Sequence, residues 1–134
     1  MGNLNRKTVL LDTNAVLRFL MQNDEEMYNQ VAKLLITNDC ITTVEVVAEA
    51  VYNLQKKYKL TRQAIAERIK DFSTLQEDLL MEETVVLYAC NLFAISNFDF
   101  VDCLLDGYAK VKGNPVFTFD GDLRKQLGVK FFNG

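Results

Sequence analysis

Short apolar runs alternate along the chain with longer stretches in which apolar residues recur every three or four positions. Thr8-Val-Leu-Leu11 is a compact apolar run and predicts a buried central strand. Asp12-Thr13-Asn14 then offers capping side chains to a helix over Ala15–Met21. Asp24-Glu25-Glu26 opens a second helix running to Ile36, with its negative charges where a helix N-terminus favours them. Cys40-Ile-Thr-Thr43 predicts a second strand. Val44–Tyr58 has helical spacing at Val47, Ala50, Val51 and Leu54. Thr61 caps a helix that carries Ile65, Ile69 and Phe72.

Asp78–Met81 is weaker strand material. Glu82–Ile95 predicts a helix whose apolar face is Val85, Val86, Ala89 and Phe93. After a break at Ser96-Asn97, Phe100–Val111 predicts another. Gly113-Asn114-Pro115 is a turn containing the single proline. Val116-Phe-Thr-Phe119 then predicts a strand, Gly121–Leu127 a short helix and Val129–Phe131 an edge strand. Strands alternating with helices imply β-α-β crossovers and a parallel sheet covered on both faces, an α/β class. In such sheets function collects beyond the carboxyl ends of strands, where Asp12 and Asp120 fall.

The length of 134 residues fits one domain, 1–134, with a core that needs no staples. A net charge of −3 argues against a global basic field, although a local basic rim suffices to steer a phosphate backbone. With no histidine, Ser-His and Cys-His nucleophiles, histidine acid–base chemistry and His-ligated zinc are excluded. Cys40, Cys90 and Cys103 are odd in number and far apart, so buried reduced thiols are expected. Met1–Lys7 is polar, the next apolar run stops at Asp12, and Arg6 stands where a myristoylation signal wants Ser or Thr. A cytoplasmic protein without a membrane span is expected.

Four acidic residues interrupt this apolar pattern: Asp12, Glu49, Asp102 and Asp120. Two unit charges about 4 Å apart repel by roughly 4 kcal/mol at an effective dielectric near 20. If the fold gathers these acids, protons or hard divalent cations such as Mg²⁺ or Mn²⁺ would relieve the repulsion. Taken singly, Asp12 and Asp120 also read as helix caps, worth about 1 kcal/mol each. Glu49 lies among valines and alanines, but Glu45 and Asn53 can share one solvated stripe with it. Asp99, Asp102 and Asp106 line one helix face, Asp99 as the cap and Asp106 as a ligand, a tuning charge or an exposed group. Arg18, one turn from Asn14, could touch a substrate phosphate or pair with an acid. The lysines and arginines at 56–62, 110–112 and 124–130 read as solvated faces. The aromatics follow the apolar periodicity as core, without an RNA-recognition stacking motif.

In order, L-L-D-T-N, A-E-A-V, D-F-V-D-C-L-L and F-T-F-D-G-D-L resemble the PIN domain family, and more narrowly the VapC-type ribonuclease toxins of toxin–antitoxin pairs. The resemblance covers nearly the whole chain. It implies a three-layer α/β/α fold around a central, mainly parallel sheet of four to five strands. It also implies a metal-dependent endoribonuclease in which Asp12, Glu49, Asp102 and Asp120 hold one or two Mg²⁺ or Mn²⁺ ions. Thr13, Asn14 and Thr118 support them, and Asp122 matches a commonly acidic neighbour. Products would be 5′-phosphate and 3′-hydroxyl ends; a homodimer and a neutralising antitoxin are the implied partners. Glu45 offers a competing acid, and Asp106 stands where the family usually has a small neutral residue. A dehalogenase-like phosphatase needs Asp where Asn14 stands, and a receiver domain needs an acid pair where Thr13 follows Asp12. The alternative of another class is a PIN-like RNA- or protein-binding module with little or no catalysis.

Overall fold

The computed structural model describes residues 6–134, so most of the polar stretch Met1–Lys7 lies outside the described residues. The elements are β1 (Thr8–Leu10), α1 (Thr13–Met21), α2 (Glu25–Thr37), β2 (Asp39–Ile41), α3 (Val44–Lys56), α4 (Arg62–Ser73), α5 (Glu83–Ile95), α6 (Phe100–Lys112) and α7 (Gly121–Leu127). A short 3₁₀ turn, Gly128–Lys130, follows. Among the described residues, no helix is long and apolar enough to cross a membrane.

The helices start where their capping residues stand. The side chains of Asp12, Asp24, Thr43, Thr61 and Asp120 each accept a hydrogen bond from the amide three residues on, satisfying a donor that the helix leaves unpaired. At the other end of α6, Gly113 takes a left-handed φ of 77°. Its amide and that of Asn114 turn back onto the carbonyls of Ala109 and Tyr108.

The predicted faces of α3, α4 and α5 are all buried in one core: Val47, Ala50, Val51 and Leu54; Ile65, Ile69 and Phe72; Val85, Val86, Ala89 and Phe93. α5 and α6 meet closely at Gly107, where an added Cβ would lie 3.1 Å from both the Val85 side chain and its carbonyl oxygen. A separate cluster of Ala109, Val116, Leu123 and Leu127 seats α7 on α6. Each such leucine contributes about 1.5–3 kcal/mol by leaving water. Cys40, Cys90 and Cys103 are all buried free thiols. Burial pushes Cys90 up to about 12 and Cys103 up to about 11.

The architecture is α/β, but the sheet is smaller than expected. β1 and β2 pair in parallel with Val9 opposite Cys40, as a β-α-β crossover requires. In place of four to five strands, the described residues hold this two-stranded ladder and two isolated parallel bridges, Thr42 with Leu80 and Val116 with Phe131. Backbone geometry explains the shortfall. Asp78 and Glu82 have φ of 59° and 53°, so the segment between them enters and leaves through left-handed residues. Thr118 Oγ1 accepts from the Asp120 amide at 3.0 Å, bending the segment after Val116 away from ladder geometry. Gly128, with φ of 58°, turns the last predicted strand into a 3₁₀ turn.

Candidate functional site

The acids predicted from sequence fall into two groups. In the first, Asp12 follows β1 and caps α1, Oδ1 accepting from the Ala15 amide at 2.8 Å. Thr13 turns its hydroxyl across to α3 and donates to Glu49 Oε2 at 3.2 Å. Glu49 is exposed, and Asn53 donates to its backbone carbonyl rather than to its carboxylate. Glu45, one turn earlier and also exposed, has no such link among the described residues. Asn14 is exposed beside this pair.

The second group surrounds a cavity of about 550 Å³ lined by Asn97, Phe98, Asp99, Asp102, Asp120, Asp122, Lys125 and Gln126. α6 carries Asp102 in its first turn, half-buried; α7 brings Asp120 and Asp122 opposite. Asp120 caps α7 through Oδ1, which accepts from the Leu123 amide at 2.8 Å. Asp99 occupies the cap position of α6 by its backbone, yet its side chain makes no capping hydrogen bond and lines the cavity instead. The Asp102 carboxyl is raised above its ordinary range, first by desolvation, then by the charges of Asp99 and Asp120. Asp99 and Asp120 thus stand near enough for their charges to act on Asp102, while Asp12 and Glu49 do not line this cavity.

Among the described residues, no three or more cysteines, aspartates or glutamates come together closely enough to hold a metal ion. The acids stand as a pair joined through Thr13 and a set around the cavity. All donors are carboxylate oxygens, the chemistry of a hard divalent cation. Mg²⁺ in particular keeps several waters and needs only one or two carboxylates together with substrate phosphates. On donor chemistry the residues fit such an ion.

Other readings resolve differently. Asp106 is fully buried, neither a cavity-lining ligand nor exposed. It accepts from Tyr88 Oη at 2.6 Å, Lys110 Nζ at 2.9 Å and Gln126 Nε2 at 3.0 Å. Lys110 also donates to the Gln126 carbonyl at 3.0 Å, so this network ties α5, α6 and α7 together behind the acids. Arg18 reaches Asn23 at the far end of α1, at 3.4 Å, rather than an acid. Arg62 is held by the carbonyls of Phe93 and Phe98 and lies over the Phe93 ring, a fixed part of the fold and not a solvated base. The expectation that aromatics are core fails for Tyr52, Phe117, Phe119 and Phe132, which are exposed. Asn97, Phe98, Lys125 and Gln126 line the cavity without having been predicted from sequence. Only the spacing of Asp122, Lys125 and Gln126 along one face of α7 hinted at the last two.

Compared with known proteins, residues 9–126 match the family model described as PIN domain. No curated protein and no solved structure matches the chain.

Proposed function

This chain belongs to the PIN domain family, generally one of nucleases, and on that premise we propose that it is a metal-dependent endoribonuclease of the VapC toxin type. The observation that carries the proposal is Asp102, half-buried with its carboxyl raised by burial and by Asp99 and Asp120 at one cavity. A site that holds carboxylates against their own repulsion gains from a cation. The missing histidines leave few other routes to a strong nucleophile at neutral pH.

Asp102 and Asp120, with Asp122 beside them, would hold Mg²⁺ or Mn²⁺ on the α6–α7 side, and Asp12 and Glu49 on the α1–α3 side. When bound, such an ion lowers the pKa of water and neutralises charge on the transferring phosphate. The protein's own residues orient these groups. The capping bonds of Asp12 and Asp120 each fix one carboxylate oxygen. Thr13 aims Glu49, and Thr118 sets the backbone at Asp120. Lys125, on the same cavity, would meet the incoming phosphodiester. Hydrolysis leaves 5′-phosphate and 3′-hydroxyl ends. As a toxin the protein would act in the cytoplasm as a homodimer, restrained by an antitoxin whose segment occupies the acidic groove.

The test is RNA cleavage in Mg²⁺ or Mn²⁺ by the wild-type protein and the Asp12→Asn variant. Asparagine preserves the helix cap, so the variant should fold while losing cleavage. Retained activity refutes the assignment, as does indifference to EDTA. Mn²⁺ binding without cleavage of any RNA supports the alternative of a binding module.

A further inference from the structure

We propose that the exposed rings of Phe119 and Phe117 form a stacking subsite for an unpaired base of single-stranded RNA beside Asp120. The inference rests on the reading that RNA is the substrate of the acidic site. Phe119 is 95% exposed and Phe117 58% exposed, on a segment whose apolar pattern predicted a strand. The two rings meet edge to face at 5.0 Å between centroids, and Phe117 stacks on Phe131 at 6.1 Å. Arg124 covers the far ring, its guanidinium carbon 4.3 Å from the Phe131 centroid. The result is a ladder of three rings closed by a cation at one end, with Phe119 open to solvent at the other.

Two observations indicate what covers Phe119. It precedes Asp120 directly in the chain, so a base lying on it keeps its own phosphate near the acidic cavity. The far end of the ladder is cationic, with Arg124 over Phe131 and Lys125 on the same cavity, whereas Asp120 and Asp122 lie at the acidic one. Lys125 lines both the acidic cavity and a neighbouring one of about 750 Å³ that also contains Arg124 and Phe131. Aromatic faces flanked by Arg and Lys, leading to a phosphate site, are the means by which proteins hold single strands with little regard to sequence. A base inside a duplex has both faces already stacked and gains nothing from Phe119.

The chain contains no tryptophan, so Phe119→Trp supplies a unique fluorescent reporter at the open end of the ladder. Its emission should be quenched by a mixed-sequence single-stranded oligoribonucleotide, in EDTA or in Ca²⁺, and not by the same sequence as a duplex. Phe119→Ala, which removes an exposed ring, should weaken single-strand binding roughly 5- to 150-fold by anisotropy. Ile36→Ala, at a 76% exposed site on α2, should leave binding unchanged. Unchanged emission in both conditions while the oligonucleotide binds, or equal quenching by duplex, overturns the inference. So does an emission blue shift that grows with protein concentration before RNA is added, which assigns the rings to an interface between copies. If quenching and the Phe119→Ala loss persist while no RNA is cut in Mg²⁺ or Mn²⁺, the nuclease reading fails and the stacking subsite stands. If cleavage proceeds without quenching, the reverse holds.

Discussion

Replacing Lys110 by methionine tests the buried network most directly. Asp106 is 0% exposed, and Lys110 is the cation paired with it, Nζ to Oδ1 at 2.9 Å. Tyr88 and Gln126 both donate to Oδ2, so the substitution strips Oδ1 of its partner and leaves the charge buried. Removing one member of a buried pair costs about 3–5 kcal/mol. The lysine side chain is one-third exposed and two donors remain on the carboxylate, which lowers the expectation to about 2–3 kcal/mol. With a urea m-value of ~1.5 kcal/mol/M, the unfolding midpoint should fall by about 1.3–2 M. The apolar triple variant Tyr88→Phe, Asp106→Leu, Lys110→Met removes every charge of the network together. It should recover most of that loss, since apolar replacements of similar volume are often neutral. A midpoint shift below about 0.3 M for Lys110→Met refutes the reasoning, because Asp106 would then not depend on its cation.

The remaining expectations concern groups around this network and the acidic cavity. Burial, followed by the hydrogen bond to Asp106, pushes Tyr88 up to about 12. Its contribution to stability is complete below the ordinary tyrosine value near 10 and is lost as pH rises through about 12, so absorbance titration should place its ionisation step there. The raised Asp102 carboxyl follows the same sign: its stabilising share is present below the ordinary value and lost as pH rises through the folded value. Asp102→Asn should therefore raise the Tm of the metal-free protein at neutral pH and abolish any Tm gain from Mn²⁺; a lower Tm contradicts the crowding. Gly107→Ala should destabilise by about 1–2 kcal/mol in urea, because the nearest contact includes the Val85 backbone, which cannot yield as a side chain would. Glu49→Gln should reduce cleavage and Glu45→Gln should not, as only Glu49 receives Thr13; the opposite result transfers the assignment to Glu45.

The helices and their capping residues were legible in the sequence because their determinants are local. A cap needs one side chain and an amide three residues on, and an amphipathic face needs only its spacing. Asp12, Thr61 and the apolar faces of α3, α4 and α5 therefore stand where the pattern put them. The acidic motifs were legible for the same reason, each being a short break in an apolar run. Which acids meet was not. Asp106 sits on the same helix stripe as Asp99 and Asp102, yet it turns to Tyr88 and Gln126 on other elements, while Asp99 faces the cavity. Periodicity gives a helix face but not the neighbour opposite it, and for a carboxylate that neighbour decides between burial, pairing and crowding. The sheet failed for a related reason. A strand requires a partner at matching register, and left-handed turns at Asp78, Glu82 and Gly128 withhold that partner from segments with ample apolar character. The sequence alone determined the helices, the acid-rich chemistry and the absence of histidine; the tertiary structure decided which carboxylates crowd, which one is neutralised by Lys110, and that Phe117 and Phe119 face water.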